Sequence, residues 1–571
     1  MARKKSTPKA KQVETLRHAE ATRKNIPTAE YQSVLAKEDQ APVEVRYPRD
    51  ASGLEEEKAQ RNRDLDPQLV WRGKDEKDWS DLVVQAPPLF IQEKVHPKVL
   101  IDDLLRQSQR AKAQRGGGRS GEQIDLFADF NGLPDDHART EFYRHDANWA
   151  NRMILGDSLQ VMASLAEREG LRGQVQCIYI DPPYGIKFNS NFQWSTTSRD
   201  VKDGKVDHIT REPEQVKAFR DTWRDGIHSY LLYLRDRLTV ARDLLSESGS
   251  VFVQIGDENV HRVRSLMDEV FGSDSFISLI AFRKTAGQSS LGLAGTLDYI
   301  LHYARDKAQI KYRQLFAEKE LGGTGADKYQ YVEDASGHRV RIPPDLDEGS
   351  VAALGRPLAI DTLVSQRPPG DFPVPFQGRT IRPSTGYWKT GETGMSRLTR
   401  AGRLASAGRG IMYKRYLADF PAIPYVNLWT DTSSGASTLD PKVYVVQTNT
   451  KVVQRCILMT TDPGDLVLDP TSGSGTSALV SEQWGRRWIT IDTSRVALAL
   501  ARARIMGARY PYYLLADSRD GQMKEAEVTL AEPSTANTRG DIRQGFVYER
   551  VPHITLKSIA NNAEIDVIWE D

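Results

Sequence analysis

Residues 175–184 read Val-Gln-Cys-Ile-Tyr-Ile-Asp-Pro-Pro-Tyr: a largely apolar run that stops abruptly at Asp181-Pro182-Pro183-Tyr184. Six such residues between Gly173-Gln174 and two prolines suit a strand buried on both faces, as in a sheet covered by helices. Downstream, apolar residues at 216, 219, 223, 227, 230, 234, 238, 241 and 245 recur in steps of three and four. That spacing predicts one long amphipathic helix over 213–248, ended by Gly249. Ser250-Val-Phe-Val-Gln-Ile255 reads as the next strand, 258–270 as a helix and Phe276–Phe282 as a further strand. Upstream, Arg152-Met-Ile-Leu-Gly-Asp-Ser leads into another helix. Strand alternating with helix means an α/β fold with a parallel sheet. The rhythm fails over 305–425, which is rich in Gly, Pro and Arg, and returns from 442 with a helix near 450–460, strands Gly464–Asp469 and Arg487–Asp492, and a helix through 505. One sheet interrupted by an inserted module accounts for this.

Between the two later strands lies Leu466-Val-Leu-Asp-Pro-Thr-Ser-Gly-Ser-Gly-Thr-Ser-Ala478. Gly473 and Gly475 allow a tight turn and close backbone approach, and the helix that follows offers unpaired N–H groups. Asp492, at the end of the next strand, suits hydrogen bonds to ribose hydroxyls. The unit predicts an adenosine-containing cofactor, and by itself fits NAD, FAD and S-adenosylmethionine equally.

The Asp-Pro-Pro-Tyr turn is more specific. It follows a buried strand, at the carboxyl edge where open α/β sheets bind ligands. Two prolines remove N–H donors and leave carbonyls as acceptors. A carboxylate, a carbonyl and an aromatic face together make a receptor for an exocyclic amino group on a flat ring: Asp181 and the Pro182 carbonyl accept its two N–H bonds and Tyr184 stacks on the ring.

Composition sets outer bounds. With 571 residues, 78 Lys+Arg against 77 Asp+Glu and 39% hydrophobic residues, the chain is long, polar and close to neutral, which argues against a polycation. No run approaches 18 apolar residues, so no membrane span is expected. Two cysteines, Cys177 and Cys456, exclude a disulfide scaffold or a Cys-rich zinc module, and no His-Glu-x-x-His is present, so no metal is expected. A reducing, cytoplasmic location is expected. Residues 1–25 carry eight Lys/Arg and 105–120 five; 1–120 reads as a basic, partly flexible arm with little core of its own. Within the inserted module, residues 376–418 hold Arg379, Arg382, Lys389, Arg397, Arg400, Arg403, Arg409, Lys414 and Arg415 against one acid, Glu392, interleaved with Tyr387, Trp388, Tyr413 and Tyr416. Such a stretch predicts phosphate binding with aromatic stacking faces.

These motifs together resemble the β group of DNA amino-methyltransferases, and most of all the modification subunits of type III restriction systems and related defence-locus adenine methylases. The resemblance covers roughly 140–525 and rests on Asn151–Ser158, Asp181–Tyr184, Gly249–Gly256, Asn259–Gly272, Tyr444–Thr450, Asp469–Thr476 and Asp492, with the catalytic motif ahead of the cofactor motif. It implies a Rossmann-like sheet with permuted motif order, catalytic residues Asp181, Pro182, Pro183 and Tyr184, and S-adenosylmethionine held by Asp157, Asp469, Pro470, Gly473, Gly475, Thr476 and Asp492. Asp517 competes with Asp157 for the cofactor's adenine, and a capping role is the alternative for either. Two departures stand out: Thr471 replaces the family's Phe, and Gln447-Thr448-Asn449 replaces its Thr-Gln-Lys-Pro. The implied organisation is an arm at 1–120, catalytic half at 121–304, target-recognition module at 305–425, cofactor half at 426–525 and C-terminal extension at 526–571. That extension ends in what reads as a strand at 565–571, and the chain could be a shortened form of a longer protein. The implied reaction is methylation of adenine N6 in a base flipped out of double-stranded DNA, as the modification component of a restriction or phage-defence system. The implied partners are a separate restriction, helicase or other defence subunit, or a second copy of the chain. N4-cytosine methylation, RNA or protein-glutamine methylation, and a cofactor-dependent DNA-binding subunit with little catalysis are the alternatives.

Overall fold

A computed structural model describes residues 41–48, 69–72, 74, 81–87, 89, 92–95, 149–183, 226–284, 293, 295–323, 325–343, 348–368, 370–408, 410–433, 444 and 447–570. Its centre is a nine-stranded sheet in the order Leu428–Trp429, Phe276–Arg283, Leu297–Ala304, Leu245–Ile255, Val175–Ile180, Leu466–Asp469, Arg487–Asp492, Asn151–Leu155, Gln92–Val95. Seven strands run one way. Leu297–Ala304 and Gln92–Val95 run against their neighbours, so the sheet is mixed rather than wholly parallel.

Alternation along the strands fills two layers. Ile178, Ile180, Val251, Val253, Leu468 and Ile491 join one core beneath helices Ser158–Glu167, Ile227–Leu244 and Val260–Phe271. Cys177, Tyr179, Phe252 and Val467 face the other way, against Val452, Val453, Cys456 and Ile457 of helix Thr450–Thr460.

The helix predicted to end at Gly249 ends at Leu244, and the next strand begins at once. Gly249 lies inside that strand, beside a register shift against Val175–Cys177. A Cβ on it would stand 2.9 Å from the Ser246 carbonyl oxygen and 3.0 Å from that of Val175. The glycine therefore marks a bulge with close backbone approach, not a helix stop.

The insertion leaves the sheet after Ala304 and returns to it at Leu428. A two-stranded ribbon, Phe316–Glu318 with Ala422–Pro424, closes its base, and a five-stranded antiparallel sheet forms its body. The predicted C-terminal strand is instead helix Glu564–Glu570. It and helix Leu556–Asn561 dock on helix Glu392–Arg400 of the insertion, where a Cβ on Gly394 would meet the Ala560 methyl at 2.9 Å. Of 1–120, read as a basic, partly flexible arm with little core of its own, the described part joins the main core: Val43–Tyr47 pairs with Leu82–Ala86, and Val45, Tyr47, Trp71, Leu82, Val84 and Ala86 are buried in it.

Candidate active site

Strands Val175–Ile180 and Leu466–Asp469 are parallel neighbours, aligned with Val467 opposite Cys177 and Leu468 opposite Ile178. Two motifs some 290 residues apart thus meet at one sheet edge. The backbone N–H of Asp181 donates to Thr471 Oγ1 at 2.8 Å, and the Thr471 hydroxyl donates to Asp469 Oδ1 at 3.2 Å. The threonine that departs from the family pattern is therefore the bridge between the Asp-Pro-Pro and glycine turns.

Asp181 accepts a hydrogen bond from Thr448 Oγ1 at 3.2 Å. Burial, then the carboxylates of Asp469 and Asp298, push it up to about 7, against the opposing pull of the Thr448 hydroxyl and Lys284. Pro182 is buried and Pro183 half-buried beside it. Tyr184 lies outside the described residues.

In the glycine turn, Gly473 and Gly475 take φ of +50° and +69°, values that L side chains rarely adopt. Their surroundings differ. A Cβ on Gly473 meets nothing nearer than the Tyr444 ring at 3.6 Å, whereas one on Gly475 would stand 2.7 Å from the Ala501 Cβ. Gly475 is needed for helix packing, Gly473 for the turn. Asp492 is oriented by backbone, Oδ2 accepting from Gly473 N–H and Oδ1 from Ser494 N–H, each at 2.8 Å. Among the described residues, Ser472 Oγ is buried without a hydrogen-bond partner. That orphaned hydroxyl and the helix N-terminus beginning at Thr476 fit a polar ligand lying on the turn.

Other expected cofactor contacts hold the protein itself together. Asp469, 5% exposed, accepts from Thr471 N–H and Ser477 Oγ, and burial pushes it up to about 6. Pro470 is buried behind it. Thr476 Oγ1 takes a hydrogen bond from Arg504 at 2.8 Å. Asp157 caps helix Ser158–Glu167 through Leu159 N–H and pairs with Arg237 at 2.6 Å. Gly156 N–H donates to the Asp492 carbonyl, so this cap adjoins the strand end that carries Asp492. Asp517 is buried and accepts from the N–H groups of Arg539 and Asp541, tying down a loop.

The basic stretch changes most in three dimensions. Arg382 pairs with Asp371, Arg397 and Arg400 with Asp566, Arg403 with Asp419, Lys414 with Glu333 and Arg415 with Asp361. Every one of those acids lies outside 376–418: Asp371 and Asp419 flank the stretch, while Glu333, Asp361 and Asp566 are brought to it from further away in the chain. Arg379, Arg382 and Lys389 are exposed; Arg409 lies outside the described residues. Trp388, Tyr413 and Tyr416 are buried core and not stacking faces, and Tyr387 is half-buried.

Sequence reading missed Thr448, Gln254 and Arg504 as site residues. Gln254 had a signal: an amide inside the otherwise apolar run Val251–Ile255. Cys177 and Cys456 are both buried, and burial pushes the Cys177 thiol up to about 12, which suits neither as a nucleophile. Among the described residues no group of three His, Cys, Asp or Glu could hold a metal, and no helix is long and apolar enough to cross a membrane.

A family model described as DNA methylase matches residues 175–503. The type II methyltransferase M.EcaI of Enterobacter cloacae is 25% identical over 441 residues, 76% of this chain and 81% of that protein. The EcoPI Mod subunit of a type III restriction-modification enzyme, from Escherichia phage P1, is 28% identical over 168 residues, 28% of this chain and 25% of that subunit. The solved structure of M1.HpyAVI with SAM covers 62% of this chain and 98% of its own, at 12% identity and a TM-score of 0.29.

Proposed function

The chain belongs to the DNA methylase family, and we propose that it transfers a methyl group from S-adenosylmethionine to the N6 amino group of adenine in double-stranded DNA, within a restriction or phage-defence system. The observation that carries this reading is the hydrogen bond from Asp181 N–H to Thr471, which couples an amine-receptor turn to a glycine turn. Bound S-adenosylmethionine supplies an electrophilic methyl on a sulfonium. Asp492, Gly473, Ser472 and the N-terminus of helix Thr476–Gln483 are the groups that would hold it.

The remaining chemistry is positioning. The amine's lone pair is delocalised into its ring. Hydrogen bonds from its two N–H groups to Asp181 and the Pro182 carbonyl favour a more tetrahedral nitrogen with the lone pair directed at the methyl. Tyr184 is the residue for stacking on the flipped base. Transfer is direct, with no covalent enzyme intermediate. Asp181, pushed up to about 7, is well matched to take the proton that the amine sheds afterwards. Asp in the first position of the motif favours adenine over cytosine, where Ser is commoner.

The test is transfer from labelled S-adenosylmethionine to duplex DNA and to RNA, followed by digestion to nucleosides. N6-methyldeoxyadenosine from DNA supports the reading. N4-methylcytosine would reassign the base, label in RNA alone would reassign the substrate, and no label with intact DNA binding would favour a subunit with little catalysis.

A further inference from the structure

Behind Asp181 runs a chain of side chains that the catalytic motif does not include. Tyr179 precedes Asp181 by two residues, so both lie on the sheet face covered by helix Thr450–Thr460. The Tyr179 hydroxyl donates to Gln254 Oε1 at 2.6 Å. Gln254, 3% exposed on the adjacent strand, donates through Nε2 to Thr448 Oγ1 at 2.9 Å. Thr448, just before helix Thr450–Thr460, completes the chain to Asp181 Oδ2 at 3.2 Å.

The polarity of this chain matters. A threonine hydroxyl has one hydrogen. Thr448 also lies 3.2 Å from Gln254 Oε1, a second acceptor for that hydrogen. With the Tyr179 hydrogen on Oε1 and the Gln254 amide nitrogen facing Thr448, the Thr448 hydrogen is directed to the carboxylate. Flipping the Gln254 amide would turn Oε1 toward Thr448 and draw the hydrogen away from Asp181. In the observed arrangement Tyr179 is a donor to that amide oxygen, two hydrogen bonds removed from the acid.

We infer that Thr448, with Gln254 and Tyr179 behind it, is a positioning residue for methyl transfer: it fixes the Asp181 carboxylate by one oxygen, leaving the other to accept the N–H of the target amine. The inference rests on the reading of Asp181 as the amine receptor. The charged groups facing that carboxylate are Asp469 on the neighbouring strand, Asp298 and Lys284 from the Phe276–Ala304 hairpin, and Thr448 itself as a neutral donor; Tyr230, on helix Ile227–Leu244, feels the same charge. Among the described residues, Thr448 is the group favouring the charged acid that is in direct hydrogen-bond contact with it.

The test is Thr448→Val, which keeps the shape and removes the hydroxyl, beside Thr448→Ser, Tyr179→Phe and Asp181→Ala, all in the full chain. Losing a hydrogen bond to a charged acceptor should lower kcat about 10- to 100-fold in Thr448→Val. KM for DNA and cofactor affinity should stay within about twofold, and Thr448→Ser should recover most of the rate. With its neutral donor gone, Asp181 is harder to ionise, so the acid limb of the kcat profile moves to higher pH. The same displacement should appear without cofactor, in the pH dependence of thermal stability. Tyr179→Phe should lie between wild type and Thr448→Val. If Asp181→Ala is inactive while Thr448→Val matches wild type in kcat and acid limb, the positioning role is refuted and the function stands. If Asp181→Ala retains full activity, the function itself fails.

Discussion

Replacing Asp181 by Asn should stabilise the protein while abolishing methyl transfer. An unfolded Asp loses its proton near 3.8, whereas folded Asp181 holds it to about 7. Between those values the folded state binds more protons, so this residue's contribution to stability is full below about pH 4 and lost as pH rises through 7. At ~1.4 kcal/mol per decade the full difference is ~4 kcal/mol; the side chain is half-buried at an open sheet edge, so solvent screening leaves about 1–3 kcal/mol. Asn cannot ionise, yet its amide oxygen can still accept from Thr448. At pH 8 the variant should therefore melt roughly 1–3 °C above wild type, and the two should converge towards pH 4. Asp469, pushed up to about 6 by burial, is present in both proteins, but its charge faces Asp181, so the variant also eases Asp469 ionisation and widens the gap at high pH. Thermal denaturation across pH 4–8.5, beside labelled-methyl transfer, reads both effects. A variant no more stable than wild type at pH 8, or a gap independent of pH, would refute the claim that the acid is held at a cost in this site.

Four further outcomes are expected. Gly475→Val should destabilise the fold by about 2–5 kcal/mol, since a branched side chain at φ +69° also strikes Ala501; denaturant titration checks it, and unchanged stability with weakened cofactor binding would return this glycine to ligand approach. Asp492→Ala should weaken S-adenosylmethionine binding and cost about 1–3 kcal/mol of stability by leaving Gly473 and Ser494 N–H groups without their acceptor, measured by calorimetric titration and melting. Neutralising Arg379, Arg382 and Lys389 should lower duplex affinity and flatten its salt dependence by ~0.9 per lost phosphate contact. Neutralising Arg397 and Arg400 should instead release helix Glu564–Glu570 through loss of the Asp566 pairs, seen as faster proteolysis there; an unchanged salt slope in the first variant and a changed one in the second would reverse this assignment.

The sequence by itself determined the local elements and the chemistry of the two turns. Strand Arg487–Asp492 has the predicted bounds, helix Thr450–Thr460 lies where the periodicity put it, and Asp181 and Gly473 stand at strand ends, because burial pattern and turn residues act over a few positions. What depends on partners distant in the chain was not legible. Gly249 looked like a helix stop until Val175 was laid beside it. The 376–418 stretch looked strongly cationic because its counter-charges, Glu333, Asp361, Asp371, Asp419 and Asp566, are all contributed from outside it. Thr471 looked like a defect in a motif, and became a bridge only once strands Val175–Ile180 and Leu466–Asp469 lay side by side. Charge compensation and hydrogen bonding are decided by distance in space, and a residue's partner 290 positions away leaves no periodic mark on the sequence around it.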